Sequence, residues 1–317
     1  MEKRSQRHQS MKVLRKRRKL RKRRIFLFIL LALFLVVGGY SVIQYYLGKN
    51  QAANGMEEKS FAFNGEKDSK GRVNILLIGV DSRKGNMQSN SDTMIIAQYD
   101  PKREKAKLVS LMRDIYTPMP GYDNYKKLNA ANLLGGPELL RKTIKQDFDI
   151  DVQYYVIIDF KGFEHTIDAL APDGIEINVE KAMSKNIGVS LQPGVQKLNG
   201  KEMLGYARFR HDAESDFGRV RRQQQVLKAV ADEVLSANGV VKAPKMLGTI
   251  EPYIQTNIGT LDSLSLLKNV FFFDTKNLET LTVPVKDTYT NERVLNSWVI
   301  QTDFELNKQA IHKFLDD

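Results

Sequence analysis

Between Ile25 and Gly48 the chain reads IFLFILLALFLVVGGYSVIQYYLG, 24 residues without a charge and dense in Leu, Phe, Ile and Val. At a helical rise of about 1.5 Å per residue, this length crosses a hydrocarbon core of about 30 Å with some tilt. A helix buried in a soluble domain is rarely apolar on every face. The apolar core exceeds the usual h-region of a cleaved signal peptide, and no small-x-small cleavage site follows it directly. Tyr40, Tyr45 and Tyr46 lie near its far end, where amphipathic rings favour the headgroup level. The expectation is one N-terminal transmembrane helix over residues 25–48, acting as a signal anchor.

The charges orient it. Residues 1–24 hold 13 of the 49 Lys and Arg and a single acid, Glu2, and so carry the whole net charge of +12. The other 293 residues hold 36 bases and 36 acids. Lys and Arg beside a span stay on the cytoplasmic side. The basic tail is therefore expected inside and everything beyond Lys49 outside, in a single-pass membrane protein. The tail can also bind anionic lipid, at about 1 kcal/mol per residue near the surface. A formally neutral outer part argues against nucleic acid as a partner. The absence of cysteine excludes a disulfide scaffold, a thiolate zinc site and a cysteine nucleophile.

Residues 49–72 are polar and rich in Gly, Asn and Lys, and read as a linker. No repeat or Pro-rich joint follows, so residues 73–317 read as one domain. Short β-rich runs occupy 73–80, 93–100 and 106–112, the last two separated by a turn that opens at Asp100-Pro101. Helical periodicity appears at 136–148, 162–170, 218–236, 243–254, 262–272 and 304–315. Further strands fit 152–159, 174–179, 279–285 and 295–301. Near-continuous apolar strands need cover on both faces. The predicted fold class is α/β, a three-layer α/β/α arrangement with a mixed central sheet, preceded by the transmembrane helix.

Familiar catalytic signals are mostly missing. His8, His165, His211 and His312 have no metal-ligand spacing, and the chain has no G-x-S-x-G elbow, Walker loop or G-x-G-x-x-G. Acids and arginines at element ends remain. Asp81 follows the first strand, Asp92 precedes the second, and Arg113 and Asp114 follow the third. An antiparallel meander would bring Asp81, Asp92 and Arg113 to one sheet edge, where two carboxylates beside a guanidinium suit a magnesium-bound phosphate. A set of solvated turn residues is the plainer alternative. In an extended stretch Arg208 and Arg210 share a face with Phe209 opposite. Arg219 and Gln223 share a helix face near an N-terminus that favours anions. Paired arginines there suit a diphosphate; a solvated basic face is the alternative.

Taken in order, NILLIGVDSR, SDTMIIAQYD, LVSLMRDIYTPMPG, KLNAAN, GGPELLRKTI, YYVIIDFKGFEHTIDAL, LNGKEMLGYARFRH and DFGRVRRQQQVL resemble the LytR-CpsA-Psr family of cell-wall glycopolymer transferases, over about Val73 to Leu235. The resemblance implies an enzyme of the cell envelope. Its donor would be a polyprenyl-pyrophosphate-linked polymer of teichoic acid or capsular polysaccharide type. Its acceptor would be a peptidoglycan hydroxyl, thought to be the muramic acid C6 oxygen. Products would be a phosphodiester and polyprenyl phosphate, with pyrophosphatase action as a side activity. The implied cofactor is Mg2+, or Mn2+ in its place, on Asp81 and Asp92. The implied pyrophosphate contacts are Arg113, Lys127, Arg208, Arg210, Arg219 and Gln223, with Asp216 supporting the arginines. Asp81, Asp92, Arg113 and Arg219 would carry catalysis. Asp81, Asp92 and Asp114 all stand open as the general base.

One position departs from the family pattern. Asn90 occupies the place of a common Arg in Arg-Ser-Asp-Thr, and Asn supplies neither charge nor a bidentate fork. Arg83 or Lys84 could compensate. Ala171-Pro172-Asp173-Gly174, where Gly-Gly is frequent, reads as a turn variation. The rival readings are an attachment factor that binds wall polymer or lipid without turnover, and a DNA-binding regulator. The second would need the domain in the cytoplasm.

Overall fold

The computed structural model describes residues 40–49, 61–82, 86–236, 245, 248–259, 262, 266 and 275–317. The basic tail, residues 25–39 of the expected span, residues 50–60 of the linker, Arg83, Lys84 and most of the helix expected at 262–272 lie outside the described residues. Residues 40–49 are helical. No helix among the described residues is long and apolar enough to cross a membrane.

In chain order the elements are β1 (Val73–Val80), β2 (Ser91–Asp100), β3 (Lys105–Leu111), β4 (Tyr116–Thr117), β5 (Lys126–Lys127), α1 (Ala130–Phe148), β6 (Tyr154–Asp159) and α2 (Phe160–Leu170). There follow β7 (Ile175–Val179), β8 (Gly194–Leu198), α3 (Gly200–Arg208), α4 (Ser215–Leu235), β9 (Ile254–Thr256), β10 (Glu279–Val283), β11 (Tyr289–Val294), β12 (Ser297–Thr302) and α5 (Phe304–Asp316). Six strands form one sheet in the order β10-β3-β2-β1-β6-β9. The pairs β10/β3 and β1/β6 run parallel; the other three are antiparallel. The sheet is thus mixed, and β1, β2 and β3 form the expected meander.

Two departures from the sequence reading have local causes. Helix α1 starts six residues early because Gly135 and Gly136 break its dihedrals and Pro137 restarts it; periodicity alone sees only the second segment. The helix expected through residue 254 instead ends at residues 248–250 and a 3-10 turn over Glu251–Tyr253, after which Ile254–Thr256 pairs with β6. Pro252 removes a backbone donor, and β-branched Ile254 and Thr256 suit an edge strand.

Helices cover both faces of the sheet. On one, Leu76, Ile78, Met94 and Ile96 pack against Leu140 and Ile144 of α1 and Ile311 and Leu315 of α5. On the other, α2, α3 and α4 form a second core with the β7–β8 hairpin, built on Ile167, Ile177, Met203, Tyr206 and Val226. Burying a Leu or Ile side chain contributes about 1.5–3 kcal/mol, so both clusters hold their layers firmly.

Candidate active site

The site begins with a register slip. Gly79 pairs with Thr93, but Val80 pairs with Ser91, so Asp92 is the extra residue of a β-bulge. Bulges re-aim side chains. Here consecutive residues, Asp92 and Thr93, both line the cavity on the α2–α4 side. Asp92 therefore lies inside β2 rather than before it, which corrects the strand start read from sequence. Arg113 follows β3, and its Nη1 donates to Asp92 Oδ1 at 2.5 Å. Asp81 follows β1 at the same sheet edge but stands outside the cavity wall.

The second set of arginines comes from α3 and α4. Arg208 is the last residue of α3, not part of an extended stretch; the helix starts at a capping box between Asn199 and Glu202. Its guanidinium carbon lies 4.3 Å from the centroid of the Phe160 ring. Phe209 turns into the second core while Arg208 and Arg210 both face the cavity, so the predicted division of faces holds for a different backbone reason. Helix α4 starts at Ser215, three residues earlier than expected. Its first turn therefore holds Asp216, an acid favoured there by the helix dipole. Arg219 and Gln223 project into the cavity from the following turns.

Asp216 ties these pieces together. Its carboxylate lies 3.5 Å from Arg113 Nε, 3.5 Å from Arg210 Nη1 and 3.5 Å from Arg219 Nη2. Burial alone would raise its pKa, but the guanidiniums of Arg219, Arg113 and Arg210 outweigh burial and hold it below the usual carboxylate value. Burial draws the Arg219 guanidinium down to about 10, opposed by Asp216 and assisted by Arg113. It stays charged at neutral pH. For Arg113 burial also acts downward, but Asp216 and Asp92 prevail and hold its pKa up. The Nε atoms of Arg113 and Arg219 are buried without a hydrogen-bond partner. Four arginines against Asp92 and Asp216 leave a local surplus of two positive charges, a good match to a diphosphate.

Behind this polar end lies a cavity of about 330 Å³. Its floor is the sheet: Leu77, Ile95 and Val156 stand in one cross-strand row, and Gly79, Thr93 and Ile158 in the next. A side chain at Gly79 would approach Thr93 Cβ to 3.0 Å, so glycine keeps this row low. Phe160 and Phe163 of α2, Leu204 of α3 and Val226, Leu227 and Val230 of α4 form the walls. One end thus offers arginines and the rest hydrocarbon, a shape for an amphiphile with a phosphate head.

Of the residues singled out from sequence, Asp92, Arg113, Arg208, Arg210, Arg219 and Gln223 line one cavity. Asp216 stands directly behind them. Lys127 lies off the cavity wall and reaches the site indirectly: its ammonium meets Asp114 at 2.7 Å, and Asp114 lies 3.5 Å from Arg113 Nε. Asn90 is exposed. The sequence reading missed Lys185, Asn186 and His211 at the cavity lining, where Asn186 Nδ2 and His211 Nε2 are 2.9 Å apart. No spacing signal marks them, because the β7–β8 connection and the chain after α3 meet only in three dimensions. Arg222, which sequence alone does not single out, also supports the site. It is fully buried, bound to Glu180 and Asp212, and fixes the segment that carries Arg210 and His211.

For a magnesium ion, the site offers oxygen donors of the right kind. Val80 pairs with Ser91, so Asp81 and bulged Asp92 stand at one edge, and Asp92 Oδ2 is outside the Arg113 contact. No group of three or more His, Cys, Asp or Glu among the described residues forms a metal cage. Mg2+ commonly takes one or two carboxylates and completes its shell with water and phosphate oxygens, so the two aspartates fit a metal shared with a substrate.

The geometry has counterparts among known proteins. The chain is 45% identical over 280 residues to regulatory protein MsrR of Staphylococcus aureus (strain COL), covering 88% of this chain and 85% of that one. It is 30% identical over 311 residues to polyisoprenyl-teichoic acid–peptidoglycan teichoic acid transferase TagV of Bacillus subtilis (strain 168), covering 93% and 78%. The crystal structure of B. subtilis TagV superposes with a TM-score of 0.66 at 28% identity, over 78% of this chain and 99% of that one. The structure of TagT bound to LI-WTA gives a TM-score of 0.65 at 27% identity, over 81% and 97%. The sequence profile of the LytR_cpsA_psr family matches residues 39–314, which take in the whole sheet and every arginine of the cavity. The chain belongs to the LytR-CpsA-Psr family.

Proposed function

We propose that the protein transfers a polyprenyl-pyrophosphate-linked anionic glycopolymer to peptidoglycan. The observation that carries this reading is the cluster of Arg113, Arg210 and Arg219 around Asp216, with Arg208 beside it, at the polar end of an apolar cavity. The diphosphate would lie among Arg113, Arg208, Arg210 and Arg219, with the prenyl chain along Leu77, Ile95, Phe163 and Val230. The name of TagV, a teichoic acid–peptidoglycan transferase, supports the substrate class.

The reaction balances simply. An acceptor sugar hydroxyl oxygen attacks the phosphorus that carries the polymer, and a new P–O bond forms. The bond from that phosphorus to the bridging oxygen breaks, and polyprenyl phosphate leaves with the electron pair. The hydroxyl proton passes to a carboxylate. Asp92 and Asp114 are the acids beside Arg113 that can take it. Asp216 is a poor base, since its arginine neighbours favour the anion. The guanidiniums hold the diphosphate in line and offset the charge that grows on the leaving phosphate. Asp81 and Asp92 would hold Mg2+, which when bound supplies Lewis-acid stabilisation of the phosphate oxygens.

The uncharged segment and the basic tail support a single-pass anchor, with the domain outside the cell. At the near end of the described chain, the Tyr45 hydroxyl and the Lys49 ammonium both donate to Glu251, so the helix over 40–49 meets the domain beside β9. The name of MsrR points to regulation, which favours a second reading.

The test is transfer in vitro. Full-length protein in detergent is given defined lipid-linked donors and peptidoglycan oligomers, with and without Mg2+. Polymer attached to the oligomer, dependent on the metal and absent for Arg113→Ala, is the expected result. Attachment that persists undiminished in Arg113→Ala or Asp81→Ala sinks the catalytic reading. Protease access to the domain on intact protoplasts checks the topology; full protection would place it inside and favour regulation.

A further inference from the structure

Immediately beyond Arg113 the chain leaves the cavity and enters a small hairpin whose inner face, with Ile115, Thr117 and Leu128, is buried, and whose other face the core does not explain. Tyr116 of β4 directly follows the turn closed by the Ile115 N–H on the Met112 carbonyl, which carries Asp114. Lys127 of β5 is the cross-strand partner of Tyr116 and stands on the same face, where its ammonium meets Asp114 at 2.7 Å. Tyr125, two residues before Lys127, brings its ring to 5.4 Å from that of Tyr116 with the planes 42° apart. It remains 47% exposed. Neither tyrosine belongs to the two hydrophobic clusters.

We infer that this face of the β4–β5 hairpin is a docking surface for sugar rings of the acceptor glycan, an inference that rests on the transferase reading. A pyranose ring presents a face of C–H bonds and a rim of hydroxyls. Tyr116 and Tyr125 offer aromatic area to the first; Asp114 and Lys127 offer an acceptor and a donor to the second. An apolar peptide or an acyl chain gains nothing from the flanking ion pair, whereas a glycan uses both parts of the surface. Continuity with the candidate active site carries the assignment further. Asp114 touches Arg113, and Arg113 lines the cavity, so a strand of sugars on the tyrosines delivers its next hydroxyl to the phosphate cluster. The donor would then enter through the cavity and the acceptor along the hairpin, on opposite sides of Arg113.

The experiment measures binding of peptidoglycan glycan oligomers, stripped of their peptide stems, to the full-length protein in detergent with no donor present. Wild type and Tyr125→Phe should bind saturably and alike. Tyr125→Ala should bind about three- to tenfold more weakly, the loss of one ring contact. Its exposure makes that variant a mild change for the fold, and a thermal midpoint within about 2 °C of wild type checks this. Equal binding by Tyr125→Ala, or binding that requires the peptide stems, overturns the inference. The two readings fail separately. Oligomer binding that depends on Tyr125 without any donor turnover leaves the surface standing and removes the transferase. Turnover with an acceptor KM indifferent to Tyr125→Ala does the reverse.

Discussion

The two faces of the central sheet are made of nearly the same residues and end in opposite states. On the first, Leu76, Ile78 and Val80 of β1 meet Met94, Ile96 and the side chains of α1 and α5 in one buried cluster. On the second, Leu77 and Gly79, their alternating neighbours, meet empty space roofed by α2, α3 and α4. The difference lies in the covering helices. α1 and α5 bring large side chains down onto the sheet, whereas the second core closes α2–α4 largely among themselves and the β7–β8 hairpin. One face gives stability and the other leaves room for a ligand.

Two carboxylates repeat the contrast. Asp147, at the end of α1, has neutral partners: the Thr117 hydroxyl at 2.6 Å and Gln146. Burial pushes it up to about 6, and the two hydrogen bonds counter only part of that. Asp216 on the cavity side is partly buried, yet its three guanidiniums outweigh that burial and hold it below the usual value. The same desolvation is overcome only where charge of opposite sign is built in.

The largest expected effect tests the cavity side. Arg113→Ala should reduce transfer by at least about a hundredfold, as loss of a preorganised charge donor does, with a modest change in thermal midpoint. Transfer at more than a tenth of the wild-type rate would detach Arg113 from the chemistry. The packed side should answer the other way. Ile78→Ala should cost about 2–4 kcal/mol in denaturant unfolding while leaving turnover per folded molecule near wild type. Asp147→Asn should then raise stability by about 1–3 kcal/mol at pH 7.5. The stability of wild type relative to Asp147→Asn should fall as pH rises from about 4 through about 6, since folded Asp147 there holds a proton that the unfolded state has lost. The gain should vanish below about pH 4, where both states are protonated; a pH-independent gain would assign it to packing. The smallest effect belongs to Leu77→Ala, at most about 1 kcal/mol because the residue already faces a void. It should weaken binding of long-chain donors more than of short-chain ones; equal effects would place the lipid elsewhere.

Much of the site was legible. The meander, and with it the approach of Asp92 to Arg113, followed from three short apolar runs and the turn at Asp100-Pro101. The i, i+4 pairing of Arg219 with Gln223 followed from helical period. The bulge was not legible, because one extra residue in a strand leaves no mark on composition. Arg208 looked extended because the alternation in YARFRH is strand-like, while the helix that ends there is set by Asn199 and Glu202, upstream. The glycines before Pro137 hid the first turn of α1.

What the sequence determined by itself was local. It placed the whole net charge of +12 in the first 24 residues and an uncharged segment after them, and made β1 almost continuously apolar so that both faces would need cover. The tertiary structure decided which face would be filled and which left open, and which arginines would share Asp216. The physical reason is that a cavity and a charge cluster are properties of space. Arg113 follows β3, Arg210 follows α3 and Arg219 belongs to α4. They come within 3.5 Å of one carboxylate only because helix α4 packs on β3, where Gln224 meets Ser110, more than a hundred residues away in sequence.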